Sequence, residues 1–390
     1  MMHTVIVGAG PAGVRTAALL AEGGHRVTLL GREPGMPYNR VALSGLLAGD
    51  VDHASLITPA HGSVTYRDGV HVTTVDRPAK LVRLTDGEPI KYDRLVLATG
   101  SHAVRLRLPG ADLPGVVLYR TLADVQAMMD AAAAGGHAIV IGGGLLGLEA
   151  AAGLARRGMA VTVVHAMDRL MERQLDAGGA ARLRERLATQ GIDTVLSATT
   201  LRVIGGDQAH GIELADGRVI EADLVVMAVG IRPASELAAE AGLPINRGII
   251  VTDRMCTSDR YIFAVGECAE HDGVCCGLAA PALAQAAVAA TSILGGAAFY
   301  VPASDPTALK VAGAAIWSAG EPVAADADSL VLDDVEDGQY RHLLVRHNRL
   351  VGAVLLGETA DAPWYLNLIR DGVNVATLRH ALPFGPQFAA

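Results

Sequence analysis

The chain has 390 residues, room for two or three domains, and 51% of them are apolar, ample for large buried cores. A net charge of −9 and a pI near 5.8, with no basic stripe, exclude a nucleic-acid binder. The four cysteines all lie at or beyond Cys256 and form no C-x-x-C, which excludes an early redox-active pair or a cluster site, and the 13 scattered histidines suggest no metal site.

The start, MMHTVIV, runs straight into a strand, so no signal peptide is expected. A strand at 4–7, a helix at 11–22 and a strand at 26–30 follow, an apolar run leading through glycines into an alanine-rich helix. After a loop, MPYNRVALSGLLAGD at 36–50, alternating stretches at 64–84 predict an antiparallel hairpin or meander. DRLVLATG from Asp93 predicts a buried strand, and Pro109, Gly110, Pro114 and Gly115 mark a hinge.

Next come a helix at 121–133, a strand at 138–141, a helix at 145–157 and a strand at 160–164. A second antiparallel segment spans about 192–221, turning at Asp216-Gly217, before DLVVMAVG from Asp223 re-enters a sheet. From about 245 the chain reads as a return to the first domain. Residues 273–304 carry no formal charge, but Pro281, Gln285, Gly295, Gly296 and Pro302 interrupt them. A spanning helix needs about 20 consecutive apolar residues, so a buried helix from near Pro281 is expected and no membrane insertion. Alternating runs after Pro302 and a helix near 362–371 predict a small α+β domain, with Trp317, Trp364 and Tyr365 as candidate core.

One unit is written twice. HTVIVGAGPAGVRTAALLAEGGHRVTLL from His3 and HAIVIGGGLLGLEAAAGLARRGMAVTVV from His137 match at 11 of 28 positions. The matches include the glycines of G-x-G-x-x-G at Gly8, Gly10, Gly13 and at Gly142, Gly144, Gly147. Such glycines let the backbone approach a pyrophosphate, and the helix behind points its positive end at the phosphates. Two units imply two dinucleotides and electron or hydride transfer between them. A ribose-binding acid is expected about 20 residues past the loop, where Glu33 stands, 20 after Gly13. Its counterpart in the second unit is His165, and Arg169 nearby is a candidate for the 2′-phosphate of NADPH, so NADH and NADPH both stay open. Glu149, two residues past Gly147, is a candidate for the nicotinamide carboxamide or for tuning a flavin, against an ordinary surface glutamate. Arg40 in PYNR is a candidate for a flavin or its phosphates, against an ordinary loop arginine. A helix N-terminus near Ala279 suits the negative charge of a reduced flavin.

The order G-x-G-x-x-G, A-T-G, G-x-G-x-x-G-x-E, A-V-G-x-x-P, G-E-C resembles the FAD-dependent pyridine nucleotide oxidoreductases of the glutathione-reductase structural class. EPGMPYNRVALSGLLAGD, VVHAMDRLMERQLD, GECAEHDGVCCGLAAPALAQA and WYLNLIRDGVNVATLRHALPFG resemble, more narrowly, the FAD/NADH-binding part of assimilatory nitrite reductase large subunits and the electron-transfer subunits of nitrate and nitrite reductases. The resemblance implies an α/β fold: two Rossmann-like, three-layer ββα dinucleotide-binding domains plus a small C-terminal α+β domain. It implies FAD contacts at Gly8, Gly10, Pro11, Ala12, Gly13, Glu33, Arg40, Ala98, Thr99, Gly100, Gly266, Glu267 and Ala279. It implies NAD(P)H contacts at Gly142, Gly144, Leu145, Leu146, Gly147, Glu149, His165 and Gly230, and the family's histidine at the place of His165 tips the choice modestly to NADH. Two departures stand out: Leu43-Ser44-Gly45 where related ferredoxin reductases carry L-S-K, and Ala234 where asparagine usually follows A-V-G-x-x-P.

The expected domains are 1–110 with 240–300 for FAD, 111–239 for NAD(P)H and 301–390 for an interface or partner dock. The expected activity is oxidation of NADH through FAD, with Glu149 and Arg40 as candidate catalytic residues. The cluster and sirohaem domains of the large nitrite reductases have no counterpart up to Ala390, so electrons are expected to pass to a separate redox protein, a nitrite or nitrate reductase component. The alternatives are a rubredoxin or ferredoxin reductase serving a pathway such as a monooxygenase, and a redox-sensing protein without turnover; direct oxygen reduction ranks below them. A cytoplasmic enzyme is expected, with a homodimer left open.

Overall fold

The computed structural model describes residues 1–302, 306–311 and 313–388. The chain forms two compact units, one of Met1–Leu46, Val51–Ala103 and Ile231–Ala303, the other of Leu47–Asp50, Val104–Gly230 and Ser304–Ala390.

The first unit is built on five parallel strands in the order Ile262–Ala264, Arg94–Leu97, His3–Val7, Arg26–Leu30, Val64–Arg67. Apart from the edge strand Val64–Arg67, their apolar runs are buried continuously, as a parallel sheet covered on both faces requires. Each fully buried leucine or isoleucine contributes about 1.5–3 kcal/mol. The helix Pro11–Glu22 opens with proline in its first turn, where a missing N–H is harmless, and turns Ala12, Gly13, Thr16, Ala17 and Leu20 inward. A three-stranded antiparallel meander, Val72–Asp76, Leu81–Leu84 and Ile90–Lys91, leads back to the sheet.

The second unit repeats this plan. Its five parallel strands run Ile192–Val195, Ala160–Val164, His137–Ile141, Leu224–Met227, Val116–Leu118, and its meander is Thr200–Gly205, Ala209–Leu214 and Val219–Glu221. The duplication extends to single atoms. The His3 amide donates to Asp93 Oδ2 at 2.7 Å and the His137 amide to Asp223 Oδ2 at 2.8 Å. Nε2 of the same two histidines lies 2.9 Å from Thr28 Oγ1 and from Thr162 Oγ1.

The structure corrects two expected antiparallel segments. Val64–Arg67 pairs in parallel with Arg26–Leu30, Val64 opposite Val27, and Ile192–Val195 pairs in parallel with Ala160–Val164. Both are four-residue strands at a sheet edge. Half-exposed edge strands alternate in polarity as hairpin strands do, so periodicity alone cannot separate the two.

The C-terminal part is a five-stranded antiparallel sheet in the order Thr307–Val311, Ala314–Gly320, Arg349–Gly357, Gln339–Arg346, Asp328–Asp334, covered by the helix Ala362–Asp371. Trp317 and Tyr365 sit in its core, while Trp364 packs against that core only partly buried. The uncharged stretch holds the helix Ala279–Ile293, which turns Ala282, Gln285, Ala286, Ala289, Ala290 and Ile293 inward. Among the described residues no helix is long and apolar enough to cross a membrane.

Candidate functional site

Each unit carries a glycine cradle at the head of the helix that follows its central strand, Pro11–Glu22 after His3–Val7 and Leu145–Arg156 after His137–Ile141. Gly8 has φ +110°, and a Cβ there would meet the Ala98 carbonyl oxygen at 2.1 Å; a Cβ on Gly13 would meet the Gly8 oxygen at 1.9 Å. The second cradle matches: Gly142 has φ +124° with the Ala228 oxygen at 2.3 Å, and Gly147 faces the Gly142 oxygen at 1.9 Å. The middle glycines differ in kind. A Cβ on Gly10 or Gly144 meets no protein atom within 4 Å, and at both positions the helix begins without a side-chain cap. Uncapped first-turn amides facing open space are what a pyrophosphate fills, so both cradles fit a dinucleotide.

Around the first cradle the structure gathers the residues proposed for FAD. Glu33 accepts from Tyr38 Oη at 2.6 Å and from Arg40 Nη2 at 2.5 Å. Burial works against the Arg40 charge, but Tyr38, Glu33 and Glu267 outweigh it and raise its pKa above the ordinary arginine value. Glu267 accepts from Ser101 Oγ at 2.9 Å. Gly266, at φ +80°, donates its amide to Oε1 of the buried Gln285 at 2.8 Å. Gln285 lies in the helix Ala279–Ile293, which also begins without a side-chain cap. Thr99 Oγ1 donates to the Ala234 oxygen at 2.6 Å and the Ala234 amide to the Gly100 oxygen at 2.9 Å. This clasp uses the backbone of Ala234, so the missing asparagine side chain does not break it. A cavity of about 490 Å³ beside the cradle is lined by Gly8, Leu30, Arg32, Val72 and Thr99, among others. Tyr38 and Ser101 were not singled out in the sequence, and Gln285 only as a break in the uncharged stretch, because an isolated hydroxyl or amide has no spacing rule.

In the second unit Leu145 and Leu146 open the helix Leu145–Arg156, with Glu149 partly buried on its second turn. Gly230 has φ +117° and its carbonyl accepts from the Val104 amide at 3.0 Å. His165 follows the strand Ala160–Val164; its Nδ1 accepts from the Gly143 amide at 3.1 Å and its Nε2 lies 3.1 Å from Glu172 Oε2. Arg169, a candidate for a 2′-phosphate, instead pairs with Asp168 at 3.1 Å and reaches the Leu175 oxygen at 3.4 Å. Glu172 is an acid that sequence reasoning passed over, seven residues beyond the expected position.

The cysteines are poor nucleophiles in this setting. Burial pushes Cys268 up, and burial with the nearby Glu267 carboxylate pushes Cys276 up to about 11. The exposed Asp253 and Asp272 come together with the buried His271, although no metal site was expected. Asp253 lies 2.8 Å from Nε2 and Asp272 3.8 Å from Nδ1. Carboxylates on two different ring nitrogens suit ion pairing rather than joint ligation of one cation.

Residues 2–291 match the family model for pyridine nucleotide-disulphide oxidoreductases, and residues 306–373 match the rubredoxin NAD+ reductase C-terminal domain. The chain is 41% identical over 383 residues to a nitrite reductase [NAD(P)H] of Bacillus subtilis, covering 95% of this chain and 48% of that protein. It is 39% identical to the assimilatory nitrate reductase electron transfer subunit of the same organism, covering 92% of this chain and 48% of that protein. The chain thus spans about half the length of these curated relatives. Among solved structures, putidaredoxin reductase in its covalent complex with putidaredoxin aligns with a TM-score of 0.86 at 26% identity, covering 96% of this chain and 94% of that one. With its paired glycine cradles and this match over most of its length, the chain belongs to the pyridine nucleotide-disulphide oxidoreductase family.

Proposed function

We propose that this chain takes electrons from NAD(P)H and delivers them to a separate redox protein bearing an iron–sulfur or haem-type centre, in nitrite or nitrate reduction. The observation that carries this is the pair of cradles with equal geometry but unequal surroundings: the first alone gathers the Glu33–Arg40–Glu267 group. A bound FAD would supply a hydride acceptor for NAD(P)H that can pass electrons on one at a time.

The residues have distinct tasks in this reading. Gly8 to Gly13 admit the FAD pyrophosphate, Glu33 receives ribose hydroxyls, and Arg40 supplies positive charge between Glu33 and Glu267. The uncapped end of Ala279–Ile293 opposes developing negative charge. Gly142 to Gly147 admit the nicotinamide dinucleotide, with Glu149 and Gly230 beside it. No side chain has to donate a proton, so orientation and water exclusion carry the rate. We assign FAD binding to 1–110 and 240–300, NAD(P)H binding to 111–239, and partner docking or dimerisation to 301–390, in a cytoplasmic setting.

The nitrite or nitrate destination draws support from the two Bacillus subtilis relatives. A rubredoxin or ferredoxin destination is the second reading, favoured by the C-terminal domain match and the putidaredoxin complex. The test is anaerobic addition of NADH or NADPH to the FAD-loaded protein. Bleaching of the flavin band is expected, and its absence with both nucleotides overturns the proposal. Stopped-flow reoxidation by nitrite reductase components, rubredoxin and ferredoxin then selects the destination. Rapid ferricyanide reduction excludes a redox sensor without turnover, and brisk NADH-dependent oxygen uptake would favour an oxidase.

A further inference from the structure

We infer that Glu172, held through His165, makes the second cradle selective for NADH over NADPH. This rests on the function proposed above and names the substrate of that site. In such cradles an acid at the end of the second strand receives the adenosine ribose. Here the strand ends at Val164 and the next residue is His165. Its ring packs on the loop: a Cβ added to Gly143 would stand 2.8 Å from His165 Cγ.

Both backbone groups of Gly143 serve this arrangement. Its amide donates to His165 Nδ1 at 3.1 Å, and its carbonyl accepts from the Met171 amide at 3.0 Å. The first bond makes Nδ1 the acceptor, which leaves Nε2 to carry the proton and donate to Glu172 at 3.1 Å. The second pins the segment just before Glu172, where Met171 takes φ +49°. The His165 side chain is only 12% exposed while that of Glu172 is 27% exposed, so the carboxylate is the more open end of the relay. A carboxylate thus stands beside the loop although the strand-end acid is missing.

The surrounding charge decides what that carboxylate does. From His165 to Leu175 the formal charges are Asp168, Arg169, Glu172 and Arg173, a net of zero. Arg169 is neutralised by Asp168 at 3.1 Å. A ribose with free hydroxyls can donate to Glu172, whereas a 2′-phosphate brings about −1.5 to −2 charges against it. Removing the Glu172 charge leaves the segment at +1 and opens it to that phosphate.

The test uses the FAD-loaded protein and two probes without nicotinamide, 5′-ADP and 2′,5′-ADP, titrated by calorimetry. Wild type is expected to bind 2′,5′-ADP at least ten-fold more weakly than 5′-ADP. Glu172→Gln should narrow that gap by about ten-fold, or ~1.4 kcal/mol, and Glu172→Arg should narrow it further. The kcat/KM ratio of NADH to NADPH should fall in step, with the flavin spectrum unchanged. Equal binding of the two probes by wild type overturns the inference, whether or not the variants fold. So does an unmoved ratio in a folded Glu172→Gln protein. If neither nucleotide reduces the flavin, the proposed function fails, and that result is separate from the ADP titrations.

Discussion

The α-carbon of Gly13 lies against the carbonyl oxygen of Gly8, so that a Cβ at Gly13 would stand 1.9 Å from that oxygen. Gly10, between them, is extended at φ −76° and a Cβ there touches no protein atom. The two glycines should therefore fail differently. Gly13→Ala must separate helix from loop, with a destabilisation of about 1–3 kcal/mol or more. Gly10→Ala should leave apoprotein stability within about 0.5 kcal/mol of wild type yet weaken FAD binding at least ten-fold. Urea unfolding of the apoprotein and a flavin fluorescence titration separate the two effects; full FAD affinity in Gly10→Ala would refute the cradle assignment.

Arg40 bridges Glu33 and the field of Glu267. Arg40→Ala should loosen FAD by about ten- to hundred-fold, the ~1.5–3 kcal/mol range of a hydrogen bond to a charged group. Arg40→Lys should keep part of that affinity, since it restores the charge without the fork. Equilibrium dialysis of flavin measures both, and unchanged affinity in Arg40→Ala would place this arginine outside the site.

With its pKa pushed up to about 11, Cys276 should stay a thiol at neutral pH. At pH 8 its thiolate fraction is about two orders of magnitude below that of an ordinary cysteine with pKa near 8.5. Iodoacetamide labelling, localised by peptide mass spectrometry, should be correspondingly slow and rise about ten-fold per pH unit toward pH 11. The same shift makes the fold lose stability as the pH rises through the folded value. Labelling at pH 7 as fast as that of a free thiol would contradict the assignment.

Asp176 caps the helix Ala177–Ala188 through the Gly178 and Gly179 amides and accepts from Tyr340 Oη at 2.6 Å, joining helix and C-terminal sheet. Burial alone would raise its pKa, but His342, Tyr340 and the Gly178 amide prevail and hold it below the usual carboxylate range. Its contribution is therefore present above the unfolded carboxylate pKa and is lost as the pH falls through the lower folded value. Asp176→Ala should destabilise the second unit by about 2–3 kcal/mol, combining a lost cap with a lost buried hydrogen bond. Chemical denaturation at pH 7 and at pH 3 checks both parts: the mutant's deficit should shrink in acid, and a deficit that stays constant would count against the sign.

The cradles were legible because their chemistry fixes residue type and spacing together: Gly8 cannot carry a side chain against Ala98, and the helix must begin at Pro11. Strand pairing was less legible, since VTYR at 64–67 looks alike at a parallel edge and in a hairpin. Glu172 escaped because the rule for a ribose acid counts residues along the chain. Here the carboxylate arrives through a loop held by Gly143 and Met171. Asp176, Tyr38 and Gln285 escaped for the same reason, as each finds its partner through the tertiary fold.

The two parallel sheets obtain their fifth strand from opposite directions, Val116–Leu118 preceding its sheet and Ile262–Ala264 following the whole second sheet. Synthesis from the N-terminus therefore completes the later sheet first. Arg94–Leu97, paired on one side with His3–Val7, keeps its other side open until the whole second sheet has been made and Ile262–Ala264 emerges beside it. The nascent first unit thus presents an unpaired strand edge on the ribosome, the exposure that invites mispairing. The order in which the two nucleotide folds mature is set by where a three-residue strand lies in the gene.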